Sequence, residues 1–153
     1  MKIKYVLIAA FVLIVCFIWG NSMLSPETSG AISGAVKDLL AALFGSESGD
    51  SSDIELHFWV RKLAHFLEFA ALGLVGSLLL RFYSCDRMIR WTCAAMIGGF
   101  FALTDETIQI FSRRGSSVRD VWIDIAGYIA GCLLAEFLIF LRRKIIAKRQ
   151  KQT

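Results

Sequence analysis

Four apolar stretches, near residues 5–24, 60–80, 91–111 and 120–141, set the limits on what this chain can fold into. A bilayer's hydrocarbon core is roughly 30 Å thick and takes about 20 helical residues to cross. Backbone polar groups in lipid must find partners within the protein, which leaves helices or closed barrels, and runs of this length read as helices. The expectation is an all-α, polytopic membrane protein: a four-transmembrane-helix bundle forming one domain over residues 1–153. Composition agrees, since 56% hydrophobic residues, one proline and a mean hydropathy of +0.60 over 153 residues do not suit a soluble domain. Lys2 and Lys4 precede the first stretch as they would in a secretory signal. Its apolar run is long for a signal, however, and the residues after Trp19 make a weak cleavage pattern, so it reads as a retained helix.

The remaining segments read as loops and tails. Residues 25–58 form an exterior loop, broken at Pro26, that carries an amphipathic helix with Ile32, Val36, Leu39, Leu40 and Leu43 on one face and Ser33, Lys37 and Asp38 on the other. Residues 46–53 are polar and read as a mobile part of that loop. Eleven of the 17 Lys and Arg residues lie on the side that holds both termini, including a basic tail over 142–153, and six lie on the other. The positive-inside preference therefore places the N- and C-termini in the cytoplasm. The net charge of +4 is then a property of the inner surface, suited to anionic lipid head groups and not to nucleic acid. Cys16 and Cys132 lie within spans while Cys85 and Cys93 lie on or near the cytoplasmic loop, so they do not make a disulfide framework.

Ionisable residues inside membrane helices cost several kcal/mol unless they face protein, water or a counter-charge, and they mark function by default. Arg61, His65 and Glu68 fall at i, i+4 and i+7 on one face of the second helix, with Lys62 beside them. The third helix is apolar until Asp105, Glu106 and Gln109 near its outer end. Arg113, Arg114 and Arg119 follow it, and the fourth helix opens with Asp120 as an N-cap and Asp124 one turn later. Gly73 and Gly76 on the second helix, and Gly127 and Gly131 on the fourth, suit close helix packing. Because the second, third and fourth helices alternate in direction, all these groups fall in the outer half of the bundle, where one polar site is the simplest arrangement. His57 reads as interfacial, Trp59 and Trp91 as anchors at the membrane surface, and Glu136 as able to snorkel or to pair with Arg142 or Arg143.

These elements resemble the VanZ-like family of small bacterial membrane proteins. The resemblance is carried by Arg61, Lys62, His65 and Glu68 with Gly73, then by Asp105, Glu106 and Gln109, then by Arg114, Asp120, Asp124, Gly127 and Gly131, and it covers nearly the whole chain. Where the family usually has a Pro-Gly turn before its arginine, this chain is one residue shorter and reads Ser112, Arg113 and Arg114. The resemblance implies a multi-pass protein of the bacterial plasma membrane acting in the cell envelope, in a family whose founding member is associated with teicoplanin, an antibiotic-resistance setting.

Four readings of the polar cluster stay open. The charges can simply neutralise one another and fix helix register. They can bind a membrane lipid head group, or a phosphorylated or lipid-linked envelope precursor, with Arg61, Lys62 and Arg114 on the phosphate and His65, Glu68, Asp105, Glu106, Gln109, Asp120 and Asp124 completing the site. They can catalyse, with His65 as general base oriented by Glu68 or Asp105 and Glu106 as a further candidate, or with a divalent metal on His65, Glu68 and a third-helix carboxylate. They can couple transport to an ion gradient. The favoured reading is lipid binding, with no cofactor or metal assigned.

Overall fold

The computed structural model describes residues 2–24, 28, 30, 31, 34, 35, 50–84, 86–113 and 117–150. Four long helices hold most of these residues: α1 (Lys2–Met23), α2 (Asp50–Leu80), α3 (Arg87–Phe111) and α4 (Val118–Gln150). Gly34 and Ala35 of the expected amphipathic helix are helical, while the residues that define its two faces, and Arg114, lie outside the described residues. Helix α2 starts at Asp50, inside the stretch expected to be the exterior loop, and α4 continues through much of the basic tail. That extension is favourable at its end, because Lys148 and Arg149 sit in the last turn, where the helix dipole favours cations.

Three of these helices are long and apolar enough to cross a membrane: α1, the Phe58–Leu80 part of α2, and α4. The fourth, α3, falls short of that mark because Arg87 and Arg90 lie at its start and Asp105 and Glu106 near its end. It closes at Ser112, whose N–H donates to the Ile108 carbonyl at 3.0 Å, while Arg113 takes a left-handed backbone with φ of 55°. Glycine is the usual occupant of that position. Arg113 holds it here.

Sidedness is inverted relative to a soluble bundle. Large apolar side chains such as Leu13, Phe17, Leu67, Met96, Phe100 and Trp122 are exposed, while Lys62, His65, Asp105, Glu106, Asp120 and Asp124 are buried. In lipid the outer surface needs no polar cover, so the interior can hold the charges.

The most extensive interface joins α2 and α4. It depends on glycine at both helices: a Cβ at Gly73 would run into the Tyr128 carbonyl, one at Gly127 into the Phe66 carbonyl, and one at Gly131 into the Ala70 carbonyl. The small-residue pattern thus lets the two backbones touch, as its spacing predicts. Tyr128 then fills the centre with Phe69, Leu72, Ile18 and Ala102, and Gly98 of α3 leaves room for its ring. At the end of the bundle away from the charged cluster, Arg81 pairs with Glu136. This corrects the expectation that Arg142 or Arg143 would do so: both remain exposed because α4 continues outward as a helix past Glu136.

Candidate functional site

All four helices deliver side chains to one end of the bundle, in two layers one helical turn apart. Arg61 and Lys62 of α2 and Asp120 of α4 make the outer layer. His65 of α2 and Asp124 of α4, each about one turn deeper, make the inner layer with Asp105 of α3.

In the outer layer Lys62 donates to Asp120 Oδ1 within a buried ion pair, and the Arg61 guanidinium stands 3.9 Å from Asp120 Oδ2 with a third of its side chain still exposed. The Lys62 ammonium also lies 4.9 Å from the centre of the Phe58 ring, a cation–π contact. Beside these groups opens a cavity of about 510 Å³ lined by Phe58, Trp59, Arg61, Lys62, Ser117, Arg119, Asp120 and Ile123. Among the described residues its rim carries three cations, Arg61, Lys62 and Arg119, against one carboxylate, Asp120.

The inner layer is rich in acceptors. Asp105 is fully buried and accepts from Ser22 Oγ at 2.5 Å and from Gln109 Nε2 at 2.7 Å. His65 Nδ1 lies 3.8 Å from Asp105 Oδ2 and 3.8 Å from Asp124 Oδ1. Asp124 is fully buried, and neither of its oxygens accepts a hydrogen bond from any described residue. Around this layer, Glu68 accepts from Asn21 Nδ2 at 2.7 Å, and Glu106 accepts the Ser117 backbone N–H at 3.0 Å, tying the end of α3 to the start of α4.

Nine of the ten residues singled out from the sequence therefore lie at this end of the bundle: Arg61, Lys62, His65, Glu68, Asp105, Glu106, Gln109, Asp120 and Asp124. Arg114, the tenth, is outside the described residues. His65 faces Asp105, one of the two carboxylates expected to orient it, and also Asp124, while Glu68 accepts from Asn21 of α1 and Glu106 from the start of α4. Sequence reasoning missed the share of α1. Asn21 and Ser22 are the signal, two polar residues closing an otherwise apolar helix at the level where the other helices carry their charges. It counted Arg119 among the outer charges without assigning it to the ligand, missed Ser117, and took Trp59 for a membrane anchor, although Trp59 also lines the cavity.

Two chemistries are open to this arrangement. The rim can receive an anion, through guanidinium groups that offer paired donors to phosphate. The interior can receive a cation, through one imidazole and two carboxylates on three different helices. The VanZ/LLP1 family model matches residues 6–141. No curated protein and no solved structure matches the chain.

Proposed function

The chain belongs to the VanZ/LLP1 family, and we propose that it binds a phosphorylated lipid head group, of the kind carried by a lipid-linked envelope precursor, in the cavity between α2 and α4. One observation carries this reading: Arg61, Lys62 and Arg119 converge on a cavity whose wall also includes Phe58, Trp59 and Ile123. The arginines match a phosphate with bidentate donors. The apolar wall suits the chain to which a lipid phosphate is attached. Asp120 holds Lys62 in place and offers an acceptor to a hydroxyl of the head group.

In this reading all four helices cross the bacterial plasma membrane, with both termini cytoplasmic and the cavity at the outer leaflet. The acids that lower the hydropathy of α3 point inward, since Asp105, Glu106 and Gln109 are all buried. Lipid therefore meets its apolar face. The distribution of Lys and Arg supports the orientation.

The test is native mass spectrometry of the full chain in detergent, titrated with undecaprenyl phosphate, phosphatidylglycerol and dioleoylglycerol. A charge-assisted hydrogen bond contributes about 1.5–3 kcal/mol, and each 1.4 kcal/mol is about tenfold in affinity. Arg61→Ala and Arg119→Ala should each weaken phospholipid binding roughly tenfold or more. Equal binding of dioleoylglycerol, or retention of lipid by both variants, would sink the reading and leave a charge cluster that only fixes helix register.

A further inference from the structure

We propose that His65, Asp105 and Asp124 bind one divalent metal ion, of the Mn²⁺ or Zn²⁺ class, inside the bundle. The site is distinct from the lipid cavity and does not rest on that reading.

Geometry is the first support. The three residues come from α2, α3 and α4, and each offers one ligand atom, all within 4.8 Å of one another. The imidazole Nδ1 is 3.8 Å from an oxygen of each aspartate. Metal bonds to imidazole and carboxylate run about 2.0–2.2 Å, so ligand atoms this close together need only small side-chain adjustments to share one ion.

Asp124 supplies a second, independent support. Its carboxylate has no exposure, and no described residue donates a hydrogen bond to either oxygen. A buried charge left in that state is costly unless something pairs with it. Gln109 extends the pattern, because its amide nitrogen donates to Asp105 while its carbonyl oxygen takes no donor from the described residues. Among the described residues, the oxygens of Asp124 and the side-chain carbonyl of Gln109 thus stand ready to accept.

Charge points the same way. Asp105, Glu106, Asp120 and Asp124 are buried together with the bases Lys62 and His65, and Lys62 is already spent on Asp120. A dication bound there would give Asp124 a counter-charge that Lys62, paired with Asp120, does not supply. Ser22 and Gln109 meanwhile hold Asp105 in a fixed orientation, as outer-shell donors do around a ligating carboxylate. One imidazole with two carboxylates lies between the all-oxygen sets that suit Mg²⁺ and Ca²⁺ and the sulfur-rich sets of softer metals, a donor set that suits Mn²⁺ or Zn²⁺.

The experiment uses the full chain in detergent, stripped with a chelator and titrated with MnCl₂ while free Mn²⁺ is followed by electron paramagnetic resonance, with ZnCl₂ as competitor. The expected result is one ion per chain, displaced by Zn²⁺. Asp124→Asn should weaken binding at least tenfold, whereas Glu136→Gln, a carboxylate at the far end of the bundle, should leave it unchanged. A wild-type chain that takes up neither ion in stoichiometric amount overturns the proposal and leaves a proton to link the three groups; so does an Asp124→Asn variant that binds as well as wild type. The wild-type protein alone gives a further decision if that variant does not accumulate. Spin-echo modulation of its bound Mn²⁺ must show one coupled nitrogen, from His65, and a signal with no nitrogen coupling rejects the site.

Discussion

Lys62 carries a full charge into the bundle, and Asp120 meets it there. Both side chains are almost fully buried, so removing one strands the other in a poorly solvating interior, which costs about 3–5 kcal/mol. Lys62→Ala should therefore lower stability by about 3 kcal/mol in a denaturant titration of the detergent-solubilised chain, with Arg61 only partly compensating from its more exposed position. Replacing both partners by apolar groups, as Lys62→Met with Asp120→Leu, should recover most of that loss. A double variant as unstable as the sum of its singles would mean that the two residues do not act as a pair. At this scale the sequence shows which residues matter, because an ionisable group within an apolar run is too costly to sit there without a partner or a use. It does not show who pairs with whom. Asp105 and Glu106 are adjacent in sequence and about 100° apart around α3, and only the rotation of that helix within the bundle decides that Asp105 meets Ser22 and His65 while Glu106 meets the Ser117 N–H.

Among the elements, α2 and α4 are the pair on which the site depends, since their backbone contact sets the separation of His65 from Asp124 and of Lys62 from Asp120. Gly131 is the tightest point of that contact. A Cβ there would meet the Ala70 carbonyl and come within 2.7 Å of the Leu74 nitrogen, and neither backbone can move aside without moving its helix. Gly131→Ala should cost about 1–3 kcal/mol, the usual range for overpacking a filled interior. Gly99→Ala is the matched comparison, because a Cβ there meets nothing within 4 Å; helix propensity alone should make it neutral or stabilising by up to about 1 kcal/mol. Equal thermal stability of the two variants would remove the close-contact account. The spacing of Gly127 and Gly131 was enough to predict tight packing, since few patterns besides small residues one turn apart let helices touch in lipid. The ends of the elements were less legible. Residues 50–58 are polar enough to read as loop, yet α2 begins at Asp50, because local composition does not register the support a helix gains by continuing one already anchored downstream.

Across the whole molecule, the inverted distribution of side chains and the basic excess on one side describe a protein that threads a bilayer, and α3 decides how often. If α3 crosses, the turn before it and the start of α4 after it face opposite sides of the membrane. Ser84 in that turn and Val118 at the start of α4 are both exposed, so each can report as a single cysteine in a chain whose native Cys16, Cys85, Cys93 and Cys132 are replaced by alanine. With both termini cytoplasmic, a membrane-impermeant maleimide added to intact cells should label Val118→Cys and leave Ser84→Cys unlabelled until the membrane is opened. Labelling of both from outside, or of neither, would mean that α3 stays on one side and that its buried acids reach the site without crossing. The reverse pattern would keep the four crossings but invert the protein, placing the cation-rimmed cavity at the cytoplasmic face. The lipid head groups available to Arg61 and Arg119 would then be those of the inner leaflet, and a precursor displayed outside the cell would no longer be a candidate ligand.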